Sequence, residues 1–276
     1  MPTETKFSVW RTIADPYKFL FTNIKPFFAL AAIPIALAVG LWIFDIVRRD
    51  GSFGVFFAPG GIDAWRYVEA LASVLNLSVF AMSWHRYVLL GHRDTAGLLQ
   101  FRIGRRELRF FIFAFILLFG VDTVLDAPDT IRRQLESMVS GSFQEVVFGA
   151  LVMAFAAVPI VICALCMRCL LLLPAVAVEG DEQHTVAWTL LRGNTWRLAS
   201  AMFIASLPLF PFRLILEALF GSLYGSAMPT PLNPWELDII LAIVTYISGF
   251  LIVAVAVTVL SMAFRQIADW PPPLPP

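Results

Sequence analysis

All three cysteines of the chain fall in one stretch, VICALCMRCLLLLP over 161–174, as Cys163, Cys166 and Cys169 with Arg168 set among them. Thiols spaced C-x2-C-x2-C raise the chemistry of zinc or iron–sulfur ligation and of disulfide exchange. On an α-helix each step of three residues turns about 300° and rises about 4.5 Å, so the sulfurs spread over roughly 120° and about 9 Å. Ligation needs donors that converge, usually four of them. There is no fourth cysteine, and His85, His92 and His184 are not spaced as paired ligands. The three are read as small, polarizable residues at a helix interface, with no metal or cofactor site.

Other chemistry is equally hard to assemble. The chain contains no G-x-S-x-G, no H-E-x-x-H, no Walker loop and no G-x-G-x-x-G after a strand. Three acids lie within apolar stretches, Asp45, Asp122 and Glu217. The first two sit near helix ends, and Glu217 follows Arg213 by one helical turn, so structural roles account for them. No catalytic residue is assigned, and the chain is read as a non-enzyme.

The elements that carry these residues are membrane helices. Of 276 residues 59% are hydrophobic and 14% charged, and the mean hydropathy is +0.79, more apolar than one soluble core can hide. The surplus must face lipid. Six segments are long and apolar enough to cross about 30 Å of hydrocarbon, at about 24–47, 67–90, 108–126, 145–173, 198–220 and 237–264. The second is the most polar. Its Ser73, Asn76, Ser83 and Arg86 share one side of a helical wheel, which predicts polar groups turned into a bundle where they line a cavity.

Charge sets the expected orientation. Twenty Lys and Arg balance twenty Asp and Glu, which argues against a nucleic-acid partner and leaves the position of the cations as the signal. With the N-terminus inside, twelve Lys and Arg fall on inner segments and five on outer ones, so both termini are expected in the cytoplasm. Each even-numbered span then ends inward with an arginine, Arg86, Arg168 and Arg265, at a depth suited to phospholipid headgroups or a shared cytoplasm-facing pocket. Pro26, Pro34, Pro159, Pro208 and Pro211 interrupt the spans and predict kinks. The N-terminus lacks the order of a signal peptide. Its Phe7, Trp10, Ile13 and Ala14, beside Lys6, Arg11 and Lys18, predict a helix lying on the membrane over 1–23. The tail at 265–276 ends in WPPPLPP and predicts polyproline II or disorder.

A second cluster of candidate contacts lies after the fourth span. In the run LLLPAVAVEGDEQHTVAWTLLRGNTWRL, residues 171–198, Trp188 and Trp196 can enter the inner interface while Arg192 and Arg197 meet phosphates. The run combines a proline-broken helix end, an acidic turn at Glu179 and Gly180, and a short Trp-bearing helix. It resembles the membrane domains joined to some glycerophosphodiester phosphodiesterases, and related six-helix bacterial inner-membrane proteins. The SWHRYVLLG run over 83–91 resembles the same group. This resemblance implies a non-catalytic membrane module in the bacterial inner membrane.

The expectation is thus a single all-α integral membrane domain over 1–276. A polytopic bundle of six helices fills 24–264, with interfacial amphipathic helices and both termini cytoplasmic. It would act as a scaffold or accessory protein with a basic, aromatic cytoplasmic surface, and its partners would be membrane phospholipids and another membrane protein. The alternative is a transporter or lipid-handling protein whose cavity is lined by the second span.

Overall fold

A computed structural model of the chain describes residues 9–49, 64–91, 104–117, 169–178, 195–209, 211, 215, 218 and 234–268. These form seven helices and no strand. They are α1 (Val9–Thr22), α2 (Ile24–Arg49), α3 (Ala64–Leu90), α4 (105–117), α5 (Leu172–Val178), α6 (Thr195–Ser206) and α7 (Pro234–Ile267). Two of them, α2 and α7, are long and apolar enough to cross a membrane. In each, most of the apolar stretch is not covered by protein, with 22% and 28% of it buried.

Local chemistry explains where the helices stop. At the end of α3, Gly91 takes φ 81° and its N–H reaches the Tyr87 carbonyl at 3.1 Å, a left-handed cap that a side chain would strain. At the start of α4, the Glu107 carboxylate accepts from the Gly104 N–H at 2.9 Å, so an otherwise orphaned donor is satisfied. Three irregularities, at Asn23, Leu171 and Leu207–Pro208, each fall about three residues before a proline, Pro26, Pro174 and Pro211. A proline lacks the N–H for the carbonyl four residues back and crowds it, so distortion appears in the preceding turn. The sequence suggests a break at Pro174 itself; instead α5 passes through Pro174, and every residue of α5 is buried.

Contacts between side chains set the helix directions. Asn23 meets Tyr87, Phe27 meets Phe80 and Trp84, Asn76 meets the backbone at Pro34, and Phe44 meets Trp65. Residue numbers fall on one helix as they rise on the other, so α2 and α3 are antiparallel. Phe80 packs on Phe250, Trp84 bonds to Ala254 and Thr258, and His85 faces Ser261. Here both series rise together, so α3 and α7 are parallel. The bundle therefore has an elbow end, near Asn23 and Tyr87, and a far end, near Asp45 and Trp65.

The first helix does not prolong α2. Eight residues of straight helix before Phe27 would carry Phe19 about 12 Å along α3 beyond Trp84. Phe19 instead lies edge-on to both Trp84 and Tyr87, each at 6.0 Å between ring centroids. The chain turns at Asn23, and α1 crosses to pack on α6 and α7. Asn23 holds the turn by donating from its side chain to the Phe19 carbonyl at 2.8 Å and accepting from the Tyr87 hydroxyl at 2.7 Å. The Tyr17 hydroxyl donates to the Ala205 carbonyl and ties α1 to the end of α6.

Two apolar clusters complete the packing. The larger joins α1, α2, α3, α5, α6 and α7 around Phe27, Phe80, Trp84, Leu198 and Leu260. The smaller joins α3, α4 and α5 through Met82, Phe110, Ala114 and Val176. Cys169, partly buried, packs against both. Cys163 and Cys166 lie outside the described residues.

Candidate functional site

At the elbow end the structure concentrates polar and aromatic side chains. Trp84 is fully buried at the centre, stacked on Tyr87 at 5.4 Å and Phe80 at 6.2 Å and met edge-on by Phe19 and Phe27. Its indole N–H points at two acceptors on α7, the Thr258 hydroxyl at 2.9 Å and the Ala254 carbonyl at 3.1 Å. One residue on, the His85 Nδ1 lies 2.7 Å from the Ser261 hydroxyl, and both residues are fully buried. Ser261 and Thr258 also lie within hydrogen-bond distance of the carbonyls four residues back, at 2.8 and 2.6 Å. A hydroxyl donating there still accepts from another helix, so one side chain serves both. The other ring nitrogen of His85, Nε2, is buried with no hydrogen-bond partner among the described residues, and the ring meets Phe110 edge-on at 6.0 Å.

These residues are suited to joining helices. No group of three or more His, Cys, Asp or Glu side chains among the described residues is placed to hold a metal ion. Deep in the bundle Asn76 donates to the Pro34 carbonyl at 2.7 Å, next to the point where Pro34 itself has no N–H to give. Ser83 returns its proton to the Val79 carbonyl at 2.8 Å, and Ser73 stands on the exposed side of α3. The predicted cavity-lining set is therefore spread over exposed, half-buried and buried positions. Ser73 is exposed while Asn76 is buried because the buried side of α3 changes along its length. Toward Ala64 the helix touches α2 and leaves Val68, Leu71 and Leu75 exposed, whereas toward Leu90 it is enclosed by α1, α5 and α7 as well.

The predicted arginine contacts divide in the same way. Arg86 and Arg265 are both half-buried at the elbow end, because α3 and α7 run in parallel. One residue past His85 is about 100° around the helix, so Arg86 leaves the α3–α7 seam while Arg265 stays one turn beyond Ser261. Neither forms an ion pair among the described residues. On α6, Trp196 is exposed and Arg197 half-buried. Arg168, Trp188 and Arg192 lie outside the described residues.

At the far end Asp45 accepts from Arg48 at 3.1 Å, and the Arg48 guanidinium stands 5.9 Å from the centre of the Trp65 ring, which packs on Phe44 at 4.7 Å. Trp84, His85, Thr258, Ser261, Asn23 and Tyr87 are site residues that the sequence did not single out. The available signal was Thr258 and Ser261, polar residues one turn apart within the otherwise apolar 250–264 run. Compared with models of protein families, with curated proteins and with solved structures, the chain matches none.

Proposed function

We propose that the chain is a multi-pass protein of the bacterial inner membrane, a non-catalytic scaffold or accessory whose working surface is the elbow end. Spacing supports the membrane reading. On α2, Lys25 and Asp45 are twenty residues apart, about 30 Å of helix, the thickness of the hydrocarbon layer. Between them the exposed side carries Phe28, Ile33, Leu37, Ile43 and Phe44, which lipid would cover. In a soluble protein such a stretch would be mostly buried. With α3 and α7 both crossing in the same direction, an odd number of crossings separates them, as a six-helix bundle requires.

The observation that carries the scaffold reading is the use of polar side chains at the helix contacts. Asn76, Trp84 and His85 each bond to another helix and Tyr87 to the α1–α2 turn at Asn23, and such bonds in a membrane act as cross-links between spans. A transport pathway would keep groups of this kind facing a cavity. The resemblance of 83–91 and 171–198 to membrane modules joined to phosphodiesterases points the same way.

The test is affinity purification from gently solubilised native membranes, with identification of the proteins and lipids that accompany the chain. The reading predicts a stoichiometric membrane-protein partner that is lost when Arg86 and Arg265 are replaced by Gln, with expression unchanged. Recovery of the protein alone, combined with solute flux in proteoliposomes, would overturn it in favour of transport.

A further inference from the structure

We propose that the exposed side of the α1–α2 elbow is a binding site for anionic phospholipid, with Lys18 and Lys25 meeting the phosphate and Phe21 and Phe28 entering the acyl layer. The proposal rests on the membrane reading above and adds a ligand class and a place. Lys18 and Lys25 are seven residues apart, as are Phe21 and Phe28, so cation and ring alternate within about one and a half turns on either side of Asn23. All four are exposed, Phe21 at 68% and Phe28 at 46%, while the opposite side is buried through Pro16, Leu20 and Phe27.

Large exposed rings beside unpaired cations need an explanation. Neither lysine has an ion-pair partner among the described residues; Asp15, three residues before Lys18, is exposed and makes no described bridge to it. Water around these rings would be unfavourable, and a wholly apolar partner would strand the cations. An interface with anionic headgroups above and acyl chains below satisfies both. Depth agrees with this assignment. Lys25 stands at the elbow end of the roughly 30 Å run to Asp45, and Phe28 lies about 4.5 Å further along the helix toward the hydrocarbon. The elbow cannot straighten freely to leave this position, because Asn23 is bonded to Tyr87 and Tyr17 to the Ala205 carbonyl.

The experiment uses the full-length protein in nanodiscs of phosphatidylglycerol and phosphatidylcholine, with native mass spectrometry counting the lipids retained on release. The wild type is expected to retain phosphatidylglycerol over phosphatidylcholine. Lys18→Gln and Lys25→Gln should each lower that preference about fivefold at low ionic strength, and added salt should lower it in the wild type. Phe21→Ala with Phe28→Ala should reduce the number of lipids retained and leave the ratio intact. An unchanged ratio in the double lysine variant would overturn the site while leaving the membrane reading standing. A photo-reactive residue at position 21 that captures a protein instead of lipid in native membranes would overturn it too. A protein that does not enter nanodiscs at all would refute both readings together.

Discussion

Trp84 fixes the relation between α3 and α7 with one indole N–H and two acceptors, and its ring is enclosed by four aromatic neighbours. Trp84→Phe keeps most of the ring packing and removes the donor, so it should destabilise the protein by about 1 kcal/mol in a detergent titration of folded protein. His85 and Ser261 form the second link, and there the coupling itself can be measured. Ser261→Ala leaves His85 Nδ1 buried without its partner, a loss of about 1–3 kcal/mol. His85→Phe removes the need for that partner, so the double variant should be less destabilised than the sum of the singles by about 0.5–1.5 kcal/mol. Additive losses would mean that the two residues do not bond. Residue types offered only the polar pair Thr258 and Ser261 in an apolar run, and not the helix that they meet. A buried histidine in an apolar run is visible in the sequence, but its partner lies 176 positions away and depends on which helices become neighbours.

At the scale of elements, the long apolar runs were the readable part. The first span is expected over 24–47 and α2 is Ile24–Arg49; the second over 67–90 and α3 is Ala64–Leu90; the last over 237–264 and α7 is Pro234–Ile267. Among the described residues only α2 and α7 of these three are also apolar enough to cross a membrane, and the spans expected at 108–126, 145–173 and 198–220 lie partly outside the described residues. The elbow was less readable, because the sequence marks Pro26 while the turn sits at Asn23 and depends on the Tyr87 hydroxyl from another helix. The same separation of proline and break appears at Pro174 and Leu171. Two bonds hold α1 across the elbow end, one from Tyr17 and one from Tyr87. Tyr17→Phe combined with Tyr87→Phe should release α1 and raise the rate of trypsin cleavage after Lys18, with little change for either single variant. Equal cleavage rates in the double variant and the wild type would show that apolar packing through Leu20 suffices.

Over the whole molecule, the described helices place the start of α2 and the end of α7 at one end of the bundle and the Phe44–Trp65 contact at the other. The charge count along the sequence leads to an expectation of both termini in the cytoplasm, and the chain ends lie outside the described residues; count alone says nothing of which spans touch, and the α3–α7 seam emerged only from the structure. A bundle that crosses a bilayer with its elbow end on the cytoplasmic face is the proposal on which the scaffold and lipid readings both depend. Membrane-impermeant thiol labelling tests it most directly, in sealed inside-out and right-side-out vesicles, with the three native cysteines replaced and single cysteines placed at Lys18, Gln266 and Asp238. Lys18→Cys and Gln266→Cys should react only from the cytoplasmic face, and Asp238→Cys only from the opposite one. Reaction of all three from the same face would contradict a bilayer-spanning bundle.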